Sequence, residues 1–169
     1  MKIEEKIEHL RRRHPGFAKR ILHDVDNKGN EFSEIIYPNE KQEMMPITVS
    51  VSDEGCLISV GKISNVTGDY PIGHEQAASA IDDIINDRIV FVLGYSEDDD
   101  TMTGAPFMSE IFPITGDVDD NSAELERFIQ KISTPITGFK RKLTKLKGRF
   151  LITTFSGSEN KIIVRINFD

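Results

Sequence analysis

The sequence predicts an α+β fold: a mostly antiparallel sheet with helices packed on one face. Three observations carry this. Ile47, Val49 and Val51 alternate with Thr48, Ser50 and Ser52, the period of a strand with one buried face. Turn residues such as Asp53, Glu54 and Gly55 join successive strand-like runs into hairpins, which makes neighbours antiparallel. Apolar stripes at helical spacing fall between these hairpins rather than after every single strand.

The elements follow in order. Ile3, Ile7, Leu10, His14, Phe17, Ile21 and Val25 recur at alternating four- and three-residue steps, one helical stripe. Pro15 and Gly16 interrupt it, so the expectation is a kinked helix or two short helices in series. Residues 32–37 read as a strand closed by Pro38, and residues 56–60 return as the partner of 47–52. Residues 61–73 are irregular, with Gly68 and Pro71 as breakers. Ala77, Ala78, Ile81, Ile84 and Ile85 form one helix face, with Asp82, Asp83, Asn86 and Asp87 on the other side. Ile89, Val90, Phe91, Val92 and Leu93 are unbroken apolar, which predicts a strand buried on both faces at the centre of the sheet. Residues 107–114 predict a strand whose Pro113 marks its end or an edge position. Asp119, Asp120, Asn121 and Ser122 are candidate caps for a helix bearing Leu125, Phe128, Ile129 and Ile132. Thr134 and Pro135 restart a helix whose buried stripe is Ile136, Phe139, Leu143 and Leu146, stopped by Gly148. Residues 150–155 and 161–168 form a final hairpin.

At 169 residues, with 38% hydrophobic and 29% charged residues, the chain fits one soluble domain, residues 1–169. The start of the chain lacks the apolar core of a signal peptide and no apolar run reaches membrane-spanning length, so a cytoplasmic location is expected. The single cysteine, Cys56, rules out an internal disulfide and a thiolate metal cluster.

Charge is segregated along the chain. The acidic residues Glu97, Asp98, Asp99, Asp100, Glu110, Asp117, Asp119, Asp120, Glu124 and Glu126 are interrupted by no basic residue. From Arg127 to Arg149 there are only basic ones. With a net charge of -7, the protein repels nucleic acid and anionic membrane at long range. A basic patch made of Arg11, Arg12 and Arg13 with the helix bearing Lys140, Arg141, Lys142, Lys145 and Lys147 would be needed to bind nucleic acid.

Candidate chemistry is sparse. The acidic run 97–100 lacks the alternating ligand spacing of an EF-hand loop and reads as a solvated or partner-binding loop. Three of the four histidines, His9, His14 and His23, fall on the first helical stretch. His9 and His14 are five residues apart and point in different directions, which is not a zinc pair. His74 stands at a helix start, a poor place for an imidazolium, and is read as a neutral hydrogen-bonding residue. Cys56 has no visible base or helix N-terminus to depress its pKa. No nucleophile elbow or phosphate-binding loop is present. No enzyme activity, cofactor or metal is expected.

One stretch carries a family resemblance. Leu57, Ile58, Ser59, Val60 and Gly61 lead to an irregular segment ending at His74. A helix over 77–86 follows, then the apolar run from Ile89 and the acidic loop. This order resembles small bacterial toxin-immunity proteins, in which a glycine-ended strand, a histidine loop and a helix precede a central apolar strand. The paired histidines or aromatics that many members carry after the glycine are replaced here by Lys62, Ile63, Ser64 and Asn65. The helix-first order also resembles small secretion-chaperone-like domains. Either resemblance implies a non-catalytic binder of a protein partner. For an immunity protein the partner would be a basic toxin domain, met by Glu97, Asp98, Asp99, Asp100, Asp117, Asp119 and Asp120; for a chaperone or adaptor it would be a client bound by a dimer.

Overall fold

A computed structural model describes residues 1–26, 29–96, 98–113, 118–133, 148–158 and 160–165, with the backbone alone at 18–23, 118–122 and 165. The chain divides into two compact units, Met1–Ile85 and Asn86–Asp169, each with its own four-stranded antiparallel sheet. The α+β class therefore holds, in two sheets instead of one.

The first unit runs α1 (Ile3–Arg13), β1 (Ala18–Val25), β2 (Glu31–Tyr37), β3 (Ile47–Ser52), β4 (Cys56–Val60) and α2 (His74–Ile85). Its strands pair in chain order, so the sheet is a meander. Register aligns Ser33, Val51 and Cys56 in one row, Ile35, Val49 and Ile58 in the next, and Tyr37, Ile47 and Val60 in the third. All but Tyr37 are buried, forming the face against which α1 and α2 pack. Ile63, Val66 and Ile72 of the irregular segment add to the same core.

The first helix is shorter than the apolar stripe predicts. α1 ends at Arg13, and residues 18–25 form β1 instead of a second helix. Pro15 removes a donor, and Gly16 stands where a Cβ would run into the Tyr37 ring, so the chain turns there. Phe17 packs edge-on against Tyr37 at 5.3 Å between centroids. β1 pairs with β2 in register from Leu22 to Val25 and again at Ala18, across a register shift between the two, a non-local gain that periodicity does not register.

Lys6 joins helix to sheet. Its side chain is only 8% exposed, and its Nζ donates to the carbonyls of Ser52 at 2.7 Å and Asp53 at 2.8 Å. It thereby satisfies two acceptors at the β3–β4 turn.

The second unit comprises β5 (Ile89–Tyr95), β6 (Met108–Pro113), α3 (Val118–Ser133), β7 (Gly148–Thr153) and β8 (Asn160–Arg165), in sheet order β6-β5-β7-β8. β5 is an interior strand with every residue buried, and β6 is an edge strand ending at Pro113, both as predicted. Val90, Val92, Phe150, Ile152 and Ile163 make a core with Ile132, and Leu125, Phe128 and Ile129 of α3 pack against it. Gly94 leaves room on β5 for Phe107: a Cβ there would come within 2.9 Å of the Phe107 ring, which lies edge-on to Phe150. α3 starts at Val118, so Asp119 and Asp120 lie inside its first turn, not ahead of it. The restarted helix from Thr134, including the basic residues 140–147, lies outside the described residues.

Asp87 ties the start of this unit to the β7–β8 turn. Its carboxylate accepts from the Ser156 amide at 2.8 Å, from the Ser156 hydroxyl, and from the Ser158 hydroxyl at 2.8 Å. Desolvation alone would raise its pKa; these bonds, with Thr154, outweigh it and hold the carboxyl below its ordinary 3.8.

Two outcomes test this architecture. Lys6→Ala should cost about 2 kcal/mol in urea unfolding, because two buried-side carbonyls lose a charged donor; an unchanged midpoint would remove Lys6 from that role. Asp87→Asn should cost about 1–3 kcal/mol at neutral pH. Since the folded pKa is depressed, the wild-type advantage is present above 3.8 and fades as pH falls through the lower folded value. Stability curves of the two proteins that stay parallel down to strong acid would contradict this.

Candidate functional site

The outer face of the first sheet carries what the buried face cannot. Positions alternating with the core rows place Phe32, Glu34, Ser50, Ser52 and Leu57 on the opposite side of β2, β3 and β4. They floor a cleft of about 560 Å³. Its rim comes from three turns: Asp26, Gly29 and Asn30 before β2, Asp53 and Glu54 between β3 and β4, and Tyr70 from the irregular segment.

Five carboxylates line this cleft: Asp26, Glu31, Glu34, Asp53 and Glu54. No Lys or Arg is among its described lining residues. Glu34 is oriented by the Ser50 hydroxyl, which donates to its Oε1 at 2.9 Å. Asp26 closes its own turn by accepting from the Asn30 amide at 2.9 Å. Asp53 and Glu54 are presented by the turn that Lys6 grips from the other side. Phe32, Leu57 and Tyr70 supply apolar surface, and Tyr70 is exposed. Carboxylates around an aromatic floor suit a cationic side chain, which can pair with charge and lie on a ring face at once.

No family model, curated protein or solved structure matches this chain. The chemistry of its own residues is therefore what speaks to function.

The acidic residues singled out from sequence lie elsewhere, in the second unit. Glu97 and Asp117 fall outside the described residues, and Asp119 and Asp120 are described as backbone of the first turn of α3. Asp98 and Asp100 are exposed. Asp99 folds its own loop. It accepts from the Gly104 amide at 2.9 Å, the Thr101 hydroxyl at 3.1 Å and the Thr103 amide at 3.3 Å. Desolvation pushes its pKa up, but these donors and the Met102 amide outweigh it and lower the pKa. Of the acidic run, Asp98 and Asp100 are thus the exposed described charges.

The remaining candidates sort clearly. His14 is buried, and its Nε2–H donates to the Ala78 carbonyl at 3.2 Å. Burial lowers its pKa, partly opposed by that bond and by Asp82. His23 belongs to β1, opposite Ser33, not to a helix. Arg12 and Arg11 lie 3.9 and 4.0 Å from Glu8, and Arg13 pairs with Asp82 and Glu75, so this basic cluster is engaged within the unit. His74 meets His9 and Glu75, an association invisible in sequence because it joins two helices.

Cys56 is fully buried, and burial pushes its thiol up to about 11. The folded protein should resist alkylation at mildly alkaline pH and react once unfolded in urea. Rapid modification of the native protein by iodoacetamide would show the thiol to be active after all.

Proposed function

We propose that this chain is a non-enzymatic binding protein that docks a basic protein partner, acting as an immunity protein against a cationic toxin domain. The observation that supports it is the concave outer face of the first sheet, where five carboxylates surround Phe32, Leu57 and Tyr70. Toxins that attack nucleic acid need basic clefts to hold phosphates, and an acidic inhibitor gains association rate and selectivity from the opposite charge. A concavity with an aromatic floor adds the desolvated contact that charge alone does not supply. The acidic loop with Asp98 and Asp100 is a further charged surface of the same sign.

A second reading, a dimerising chaperone or adaptor, is favoured by one feature. β8 is an edge strand of its sheet, and its Ile162 and Val164 are each 51% exposed. Light scattering across a concentration series separates the two, since this reading requires a concentration-dependent dimer.

For the immunity reading, the double variant Glu34→Lys/Asp53→Lys is compared with Asp98→Lys/Asp100→Lys. Association with a Lys-rich peptide carrying aromatic residues is followed by stopped-flow. The cleft variant should slow association about tenfold at low salt, and the difference should shrink at high salt. A larger effect from the loop variant would move docking to that loop. Indifference of both variants would end the proposal.

A further inference from the structure

α1 and α2 bring together three groups that are far apart in sequence: His9 from the middle of α1, and His74 and Glu75 from the first turn of α2. The start of α2 is held firmly. Gln76 Oε1 accepts from the Gly73 amide at 2.9 Å, and Ala77 N–H donates to the Gly73 carbonyl at 2.9 Å, a helix start closed from both directions. His9 and His74 meet edge to face with centroids 4.9 Å apart.

We infer that His9, His74 and Glu75 form a binding site for a divalent transition-metal ion of the zinc type. Their donor atoms all lie within 4.8 Å of one another. His9 Nε2 is 3.3 Å from Glu75 Oε1, and His74 Nε2 is 3.8 Å from the same oxygen. Bonds of about 2.0–2.1 Å in a tetrahedral site place neighbouring donors about 3.3–3.4 Å apart. Of the three pairs, one already meets that spacing and the second needs about half an ångström of closure; the two imidazole donors, within 4.8 Å, must approach as well, which side-chain rotations supply.

A second, independent observation points to a ligand. His9 Nε2 is shut off from solvent, and its 3.3 Å contact with Glu75 Oε1 lacks the geometry of a hydrogen bond. A buried polar nitrogen left unsatisfied is costly, and an ion coordinated by it removes the cost. The surrounding charge favours a cation. Arg13 lies 3.9 Å from Glu75 but is also paired with Asp82, so two carboxylates face one guanidinium. The contact with Arg13 falls on Glu75 Oε2, leaving Oε1 to the two imidazoles. His14, also near Asp82, is no ligand: its Nε2–H is committed to the Ala78 carbonyl. Two imidazoles and one carboxylate leave a fourth position for water, and the donor set is too nitrogen-rich for calcium or magnesium. A bound ion would clamp α1 to α2, on the side of the sheet away from the acidic cleft. The inference does not rest on the docking proposal.

The test is calorimetric titration of the full chain with Zn²⁺, with Co²⁺ as a spectroscopic substitute. One ion should bind, Co²⁺ should give the ligand-field absorption of a four-coordinate site, and Zn²⁺ should raise the melting temperature. His9→Gln, His74→Gln and Glu75→Gln should each weaken binding at least about tenfold, since each removes a direct ligand where even an outer partner is worth 10–100-fold. Asp100→Asn should bind like wild type. Glu75 is mostly exposed, so Glu75→Gln keeps the test meaningful if a histidine variant fails to fold. Absence of stoichiometric binding overturns the inference. So does undiminished binding in Glu75→Gln, which would put the ion on other acidic groups.

Discussion

Lys6 fixes the geometry on which both faces of the first unit depend. An ammonium inside a protein is tolerated only when its donors are used, and here two go to consecutive carbonyls at the β3–β4 turn. The turn is held from beneath, so Asp53 and Glu54 project over the outer face. The helix is held from above, and the register of α1 follows. With Lys6, Ile7 and Leu10 buried against the sheet, His9 is turned toward α2. The cleft and the histidine cluster thus share one anchor, although they lie on opposite sides of the sheet.

Charge in this protein is better understood by surface than by sequence block. The acidic block over 97–126 is long in the chain, yet Asp99 is consumed in folding its loop. Asp119 and Asp120 belong to the first turn of α3, a position in the helix that commonly takes acidic residues. The cleft acids, in contrast, come from short separated segments, none conspicuous alone. Only Glu34 is drawn inward, by a serine on the neighbouring strand. Charges held apart by the backbone yet facing one concavity repel one another, a repulsion that a cationic partner relieves.

Much of the fold was readable from the residues. Alternation in 47–52 and the apolar run from Ile89 identify strands because burial on one or both faces leaves a direct trace in composition. The α1–β1 boundary was not readable, because Phe17, Ile21 and Val25 continue the helical period of Ile3, Ile7 and Leu10. Pairing with β2 decides the matter, and pairing is not written in local spacing. The histidine cluster was hidden for the same reason: the neighbour of His9 is His74 on another helix, not His14 on its own. The cleft was hidden because its acids are scattered and their convergence is a property of strand register.

The order of strands in the second sheet has a consequence for how the chain reaches this structure. In the first sheet every strand pairs with its sequence neighbour, so each hairpin closes a short loop. β5 instead needs β7 on its other side, with Phe91 opposite Thr153 and the whole of α3 between them. Loop-closure entropy must be met before that pairing returns any stabilisation. Until it does, the most apolar strand of the protein has one edge satisfied by β6 and one edge open. A ribosome delivering the chain in order makes the first unit's pairings early, while β5 waits for a partner not yet synthesised. The interval between Tyr95 and Gly148 is then the period in which this apolar edge is most exposed to misassociation.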